Sequence, residues 1–183
     1  VTDIEITRYE ADAAVDLVDE LVAVYAQVYD VAPYIGDPFF STEAFTGRLT
    51  AALPSIGFEA IVGRVEGEIV GYVHGATLLP DKPWFTLLDH KRPSSMVRAA
   101  EAGQVFWLRE LMVLPEEQNR GWGRALHDTA IEGRHEKWTT LTCIVGNEPA
   151  HSAYLRWGYQ IMGQIKHAPE SPVYDAMFLE PSE

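Results

Sequence analysis

The chain predicts a mixed α/β (α+β) fold, a twisted sheet of about seven strands with helices on both faces. Three observations carry that expectation. Segments alternating with period two, or rich in β-branched residues, recur along the whole length; segments with apolar residues three and four apart lie between them; glycine- and proline-rich breaks separate the two kinds. With 183 residues and 47% hydrophobic content, the chain can bury one good core, so a single domain over residues 1–183 is expected.

Ile4 to Tyr9 alternates as a strand, and Asp12 is placed to cap the following helix, on which Ala14, Leu17, Val18, Leu21, Tyr25 and Val28 recur at helical spacing. Pro33, Gly36 and Pro38 break the pattern in an aromatic-rich stretch holding Tyr34, Phe39 and Phe40. Ser41 then caps a helix burying Phe45, Leu49, Ala52 and Leu53, which Pro54 ends. Phe58 to Val65 and Ile69 to Leu78 read as an antiparallel hairpin turned at Glu66-Gly67-Glu68. Residues 79–104 read as a long surface connection in which Ser94 caps a short helix from Ser95 to Ala102.

Val105 to Leu114 is the next strand, followed by a helix with Trp122, Ala125, Leu126, Thr129, Ala130 and Gly133 on one face. Thr139 to Val145 is β-branched. Pro149 then suits the first turn of a helix carrying Ala150, Ala153, Tyr154 and Trp157, which Gly158 ends. Tyr159 to His167 and Val173 to Leu179 supply two last strands. The element order is βααβββαβαββ, with no internal repeat.

Composition narrows the function. A formal charge of −13 argues against nonspecific nucleic-acid binding and favours approach of a cationic small molecule. No apolar run approaches the length of a membrane span, and the charged N-terminus does not read as a signal peptide, so a cytoplasmic location is expected. The lone cysteine, Cys143, excludes an internal disulfide and a cysteine-based zinc cluster; mid-strand, it reads as a small buried hydrophobe. The six histidines show no ligand spacing, and no metal is expected. Asp37, Asp89 and Asp175 could face a cationic acceptor but read individually as solvated surface.

The densest chemical signal is Leu111 to Arg124, LMVLPEEQNRGWGR. Pro115 stops the strand ladder, and Gly121 and Gly123 open a helix whose unpaired N–H groups at the positive end of the dipole suit a phosphate. Arg120 and Arg124 add charge beside them. The spacing is neither the G-x-x-x-x-G-K-[ST] nor the G-x-G-x-x-G phosphate loop. The Q-x-x-G-x-G spacing of Gln118-Asn119-Arg120-Gly121-Trp122-Gly123 closely resembles the acetyl-coenzyme A loop of the GCN5-related N-acetyltransferase (GNAT) superfamily, with Trp122 where a small aliphatic residue is common. A second block, Val145-Gly146-Asn147, Ala150, Tyr154 and Gly158-Tyr159, resembles that family's other motif, in the expected order.

The resemblance implies a single GNAT-like domain using acetyl-coenzyme A as co-substrate, without metal, to acetylate a primary amine by direct attack. It implies cofactor contacts from Leu111, Met112, Val113, Gln118, Asn119, Arg120, Gly121, Trp122, Gly123, Arg124 and Asn147, with pantetheine between two splayed strands. The aromatic-rich stretch after the first helix corresponds to a loop that often lines the acceptor site. Glu110, between Leu108 and Met112 on one strand face, is the candidate general base, because apolar neighbours raise a carboxyl pKa. Tyr154, at the matching motif position, is the candidate acid. Expected partners are a small-molecule amine and, in a homodimer, a second copy, with no nucleic acid or membrane. Acetylation of a protein lysine or N-terminus, and a non-catalytic acyl-coenzyme A binding module, are the alternatives.

Overall fold

The computed structural model of the protein describes residues 3–82, 85, 88 and 91–182. Its strands are β1 (Glu5–Glu10), β2 (Glu59–Val65), β3 (Glu68–Thr77), β4 (Val105–Val113), β5 (Trp138–Ile144), β6 (Gln160–Ile165) and β7 (Tyr174–Leu179). The helices are α1 (Ala11–Ala14), α2 (Val18–Tyr29), α3 (Thr42–Ala52), α4 (Ser94–Glu101), α5 (Trp122–Ile131) and α6 (Glu148–Arg156). The seven strands form one mixed sheet in the order β1-β2-β3-β4-β5-β7-β6, as the fold class requires. Two compact units share the chain: Val1–Ala76 with Arg109–Gly133, and Thr77–Leu108 with Arg134–Glu183.

In the first unit β1, β2 and β3 run antiparallel, and the β2–β3 hairpin turns through Glu66 and Gly67, both with positive φ. The Leu114 N–H donates to the Val70 carbonyl, tying the end of β4 to β3. Strand alternation places Ala60, Val62, Tyr72, Ala76 and Met112 in one cluster with Leu21, Val24 and Tyr25 of α2 and Phe45, Leu49 and Ala52 of α3. Burial of each large apolar side chain there stabilises by roughly 1.5–3 kcal/mol. Gly63 and Gly71 are register partners that let α5 approach the sheet. A Cβ on Gly71 would lie 2.6 Å from the Met112 carbonyl oxygen and 3.2 Å from Leu126, and one on Gly63 3.3 Å from Leu126. Side chains there would push α5 away.

In the second unit β7 lies between β5 and β6, antiparallel to both. Val105, Phe106 and Trp107 of β4 pair in parallel with Trp138, Thr139 and Thr140. Glu136 is buried and takes two hydrogen bonds from Arg134 and one from the Thr77 hydroxyl.

Four expectations need correction. Asp12 does not cap: the helix begins one residue after Glu10 without a side-chain cap, then tightens into a 3₁₀ turn at Val15–Leu17 before α2. Ser94 is the first residue of α4, after Pro93, so its hydroxyl caps nothing. Gly133 lies beyond α5, exposed, with φ +77°. Finally, the connection over residues 79–104 is not surface throughout: among its described residues Phe85, Leu88, Met96 and Ala100 are buried. Ser41 does cap α3, accepting from the Ala44 N–H at 3.1 Å.

Candidate active site

The loop from Pro115 to Gly121 is built to present the start of α5. Pro115–Glu117 form a 3₁₀ turn, Asn119 takes a positive φ of 64°, and Gly121, at φ +83°, is the N-cap. A left-handed cap favours glycine, and here it also keeps the approach open. A Cβ on Gly121 would meet nothing within 4 Å, and one on Gly123 only Val113 at 3.9 Å. The first N–H groups of α5 have no partner within the helix, and its dipole is positive there. This combination suits a phosphate. The Gln118 amide donates to the Val113 carbonyl at 3.0 Å, fastening the loop to β4.

The charge around this loop is less free than its sequence implies. Arg120 lies 3.4 Å from Glu117 and over the Trp122 ring at 5.3 Å, and Arg124 pairs with Asp128 at 2.9 Å. Arg134, nearly enclosed, is held by Glu136 in the other unit. The exposed pairs of Arg120 and Arg124, by contrast, are worth little and yield readily to a stronger anion. Arg120 and Arg124 therefore remain competent to meet phosphate.

Glu110 stands in the same unit, on β4. Burial pushes its carboxyl up to about 7, even though Arg48 and Arg109 pull it down. Among the described residues no hydrogen bond reaches that carboxylate, and the two guanidiniums act as charges through space. The sequence pointed to Glu110 but not to its surroundings. Arg48 of α3 donates to the Tyr25 hydroxyl at 3.3 Å and to the Phe39 carbonyl at 3.0 Å, and lies 4.7 Å above the Phe39 ring. It joins α2, α3 and the aromatic break between them. Burial raises the Tyr25 hydroxyl to about 12, Arg48 opposes that, and Glu110 and Asp37 add to it. Burial also raises Tyr72, with Glu110 contributing. The Tyr72 hydroxyl donates to Leu21.

His74 of β3 completes the cluster. It is 2% exposed between Phe45 and Phe58, and among the described residues neither ring nitrogen has a partner. Burial, then the charges of Arg109 and Arg48, depress its pKa to about 3, so the ring is neutral at physiological pH. A histidine at the same parity as Tyr72 and Ala76 is the sequence signal that a polar group faces this core.

Tyr154 and Asn147 belong to the second unit. Asn147 occupies the N-cap position of α6 without a side-chain cap bond. Tyr154 is buried, with its ring edge-on to Trp157 at 5.4 Å and Tyr159 at 5.6 Å. Cys143 is buried, and its thiol is pushed up to about 11 by burial and by the nearby Asp175 and Glu148. It is inert as a nucleophile. Asp175 is not solvated surface: it is buried on β7, 3.1 Å from the His151 ring nitrogen. Asp37 is exposed, as expected, whereas Asp89 lies outside the described residues. Among the described residues no group of three or more His, Cys, Asp or Glu could hold a metal ion.

The acetyltransferase (GNAT) family profile matches residues 34–159, which include the glycine loop, Glu110 and Tyr154. Similar solved structures include one from Pyrococcus horikoshii OT3, with TM-score 0.69, 19% identity and coverage of 99% of this chain and 100% of that one. PaiA N-acetyltransferase from Thermoplasma acidophilum, in complex with coenzyme A, has TM-score 0.61 and 12% identity, covering 97% of this chain and 99% of that one. An Arabidopsis thaliana NAA60 complex with a bisubstrate analogue has TM-score 0.63 and 14% identity over 96% of each chain. No curated protein sequence matches significantly. At these identities the structures speak to the fold, while the profile covers well over half of the sequence: the chain belongs to the acetyltransferase (GNAT) family.

Proposed function

We propose that the protein transfers an acetyl group from acetyl-coenzyme A to a primary amine of a small molecule by direct attack in a ternary complex. The observation that carries this reading is the carboxyl of Glu110, raised to about 7 in the same unit as a helix start suited to a phosphate. Acetyl-coenzyme A supplies the activated acyl group. The α5 N–H groups with Arg120 and Arg124 would hold its pyrophosphate, and the main chain of Leu111, Met112 and Val113 would hold the pantetheine arm.

An amine arrives mostly as ammonium and must lose a proton before its lone pair can attack. A base with pKa near 7 is half ionised at neutral pH, strong enough to accept that proton and weak enough to release it. Glu110 meets that requirement, whereas a carboxylate at the usual value would be a poorer acceptor. As the carbon–nitrogen bond forms and the carbon–sulfur bond breaks, the leaving thiolate needs a proton, and the motif position supports Tyr154 as its donor. No side-chain nucleophile is required, in keeping with an inert Cys143.

Steady release of free coenzyme A from acetyl-coenzyme A across a panel of small amines tests the reading. Saturable, amine-dependent release is expected. Tight cofactor binding with no amine-dependent release from any member would replace it with a non-catalytic acyl-coenzyme A binding role.

A further inference from the structure

Within α5 one carboxylate serves two partners. The Arg124 guanidinium donates through Nε to one oxygen of Asp128 at 2.9 Å, and Nδ1 of His127 lies 2.8 Å from the other. The three side chains differ in what they can reach. Arg124 and Asp128 are about half exposed, and Arg124 stands in the first turn of the helix, beside the start suited to a phosphate. The His127 ring, by contrast, is 3% exposed.

Burial holds that ring below its ordinary pKa; the bond and charge of Asp128 oppose the effect, and the charge of Arg124 adds to it. By strand alternation, the charged residues on the sheet face beneath α5 are Arg8 and Glu10 of β1, Glu59 of β2 and Arg109 of β4. None of these contributes to the shift. Arg8 is held by Glu59 and by the Thr129 and Glu132 carbonyls. The ring therefore answers to its own helix, and chiefly to a carboxylate that it shares with an exposed arginine.

We propose that Asp128 exchanges partners on cofactor binding: a pyrophosphate draws Arg124 away, and His127 takes up a proton from solvent and pairs with Asp128 as a cation. The inference rests on the cofactor part of the acetyl-transfer reading. Two changes act in the same direction. The ligand neutralises Arg124, and its negative charge arrives at the helix start, about 7.5 Å along the axis from His127. Binding and protonation then drive each other, so affinity for the cofactor should rise as pH falls through the range in which this ring titrates.

The pH midpoint of the His127 ring, followed by NMR in the full chain, tests the exchange. Dephospho-coenzyme A is the probe, because its pyrophosphate stays fully ionised and it lacks the phosphomonoester that would titrate in the same range. At saturation it is expected to raise the midpoint by about half a unit or more. Arg124→Met, with no ligand present, should raise the midpoint by itself and shrink the further rise on binding. Calorimetry at about pH 6, in buffers of different ionisation enthalpy, should show proton uptake that His127→Gln largely abolishes. Binding that leaves the His127 midpoint unmoved, or uptake that persists in folded His127→Gln, would overturn the proposal. Uptake that vanishes in Glu110→Gln instead would give the proton to the base and overturn it as well. Absence of any probe binding would fail the cofactor reading and this inference with it, so that failure is distinguishable from binding without the shift.

Discussion

Glu110 and Glu136 are both carboxylates set beside arginine, Glu110 half-buried and Glu136 buried, yet they are shifted in opposite directions. Burial pushes each one up. At Glu136 the hydrogen bonds from Arg134 and Thr77 outweigh that penalty and hold the carboxyl below its ordinary value. At Glu110 the guanidiniums of Arg48 and Arg109 act as charges through space, burial prevails, and the carboxyl rises to about 7. Directed donors make a carboxylate a structural ion; nearby charge without them leaves a proton acceptor. Arginine beside a buried glutamate therefore says little until the donor geometry is known.

Removing the directed donor is expected to have the largest effect. Arg134→Met strands Glu136 without its bidentate partner and should cost roughly 3–5 kcal/mol in urea unfolding. A loss well under 1 kcal/mol would mean that the pair does not hold Glu136 ionised. Next is the helix start: Gly121→Asp places a carboxylate where the phosphate is expected, and acetyl-coenzyme A affinity should fall at least about tenfold by calorimetry. Aspartate tolerates the left-handed backbone better than most residues, and the space there is open, so melting should hold. Unchanged affinity in a folded variant would remove the loop from the cofactor site.

Arg48→Met should sharpen the comparison. It removes the larger of the two opposing charges from Glu110, so the acidic limb of the kcat/KM profile should move to higher pH, by up to about one unit. A limb that stays put, or moves down, would show that Arg48 does not govern this carboxyl.

A last effect concerns stability. A carboxyl raised from 4.5 to about 7 in the fold contributes stability below pH 4.5 that is lost as pH rises through 7. Glu110→Gln should therefore melt higher than the parent at pH 8, by roughly 5–10 °C, and equally at pH 4. His74, depressed to about 3, withdraws stability as pH falls below 6.5, but does so in both proteins, so the difference isolates Glu110. A variant that melts lower at pH 8 would contradict the raised value.

The glycine loop, the strand before it and the Ser41 cap were legible in the sequence because each depends on residues within a few positions. Glu110 was legible too, through strand alternation. Arg48 and His74 were not, since their meaning lies in contacts between α3, β3 and β4 that no local pattern carries. The role of Arg134 was illegible for the same reason, since only the fold gives it to Glu136. Asp12 and Ser94 show a smaller limit, for a capping residue type does not fix which residue the helix begins on.

The pH profile of turnover in the parent and in Glu110→Gln tests the central claim most directly. Amine-dependent release of coenzyme A should rise through an acidic limb centred near pH 7 in the parent, set by the Glu110 carboxyl. Glu110→Gln should turn over about a hundredfold more slowly, lose that limb, and bind acetyl-coenzyme A as before. Near-normal turnover in the variant, with the limb unmoved, would contradict the assignment of Glu110 as the base.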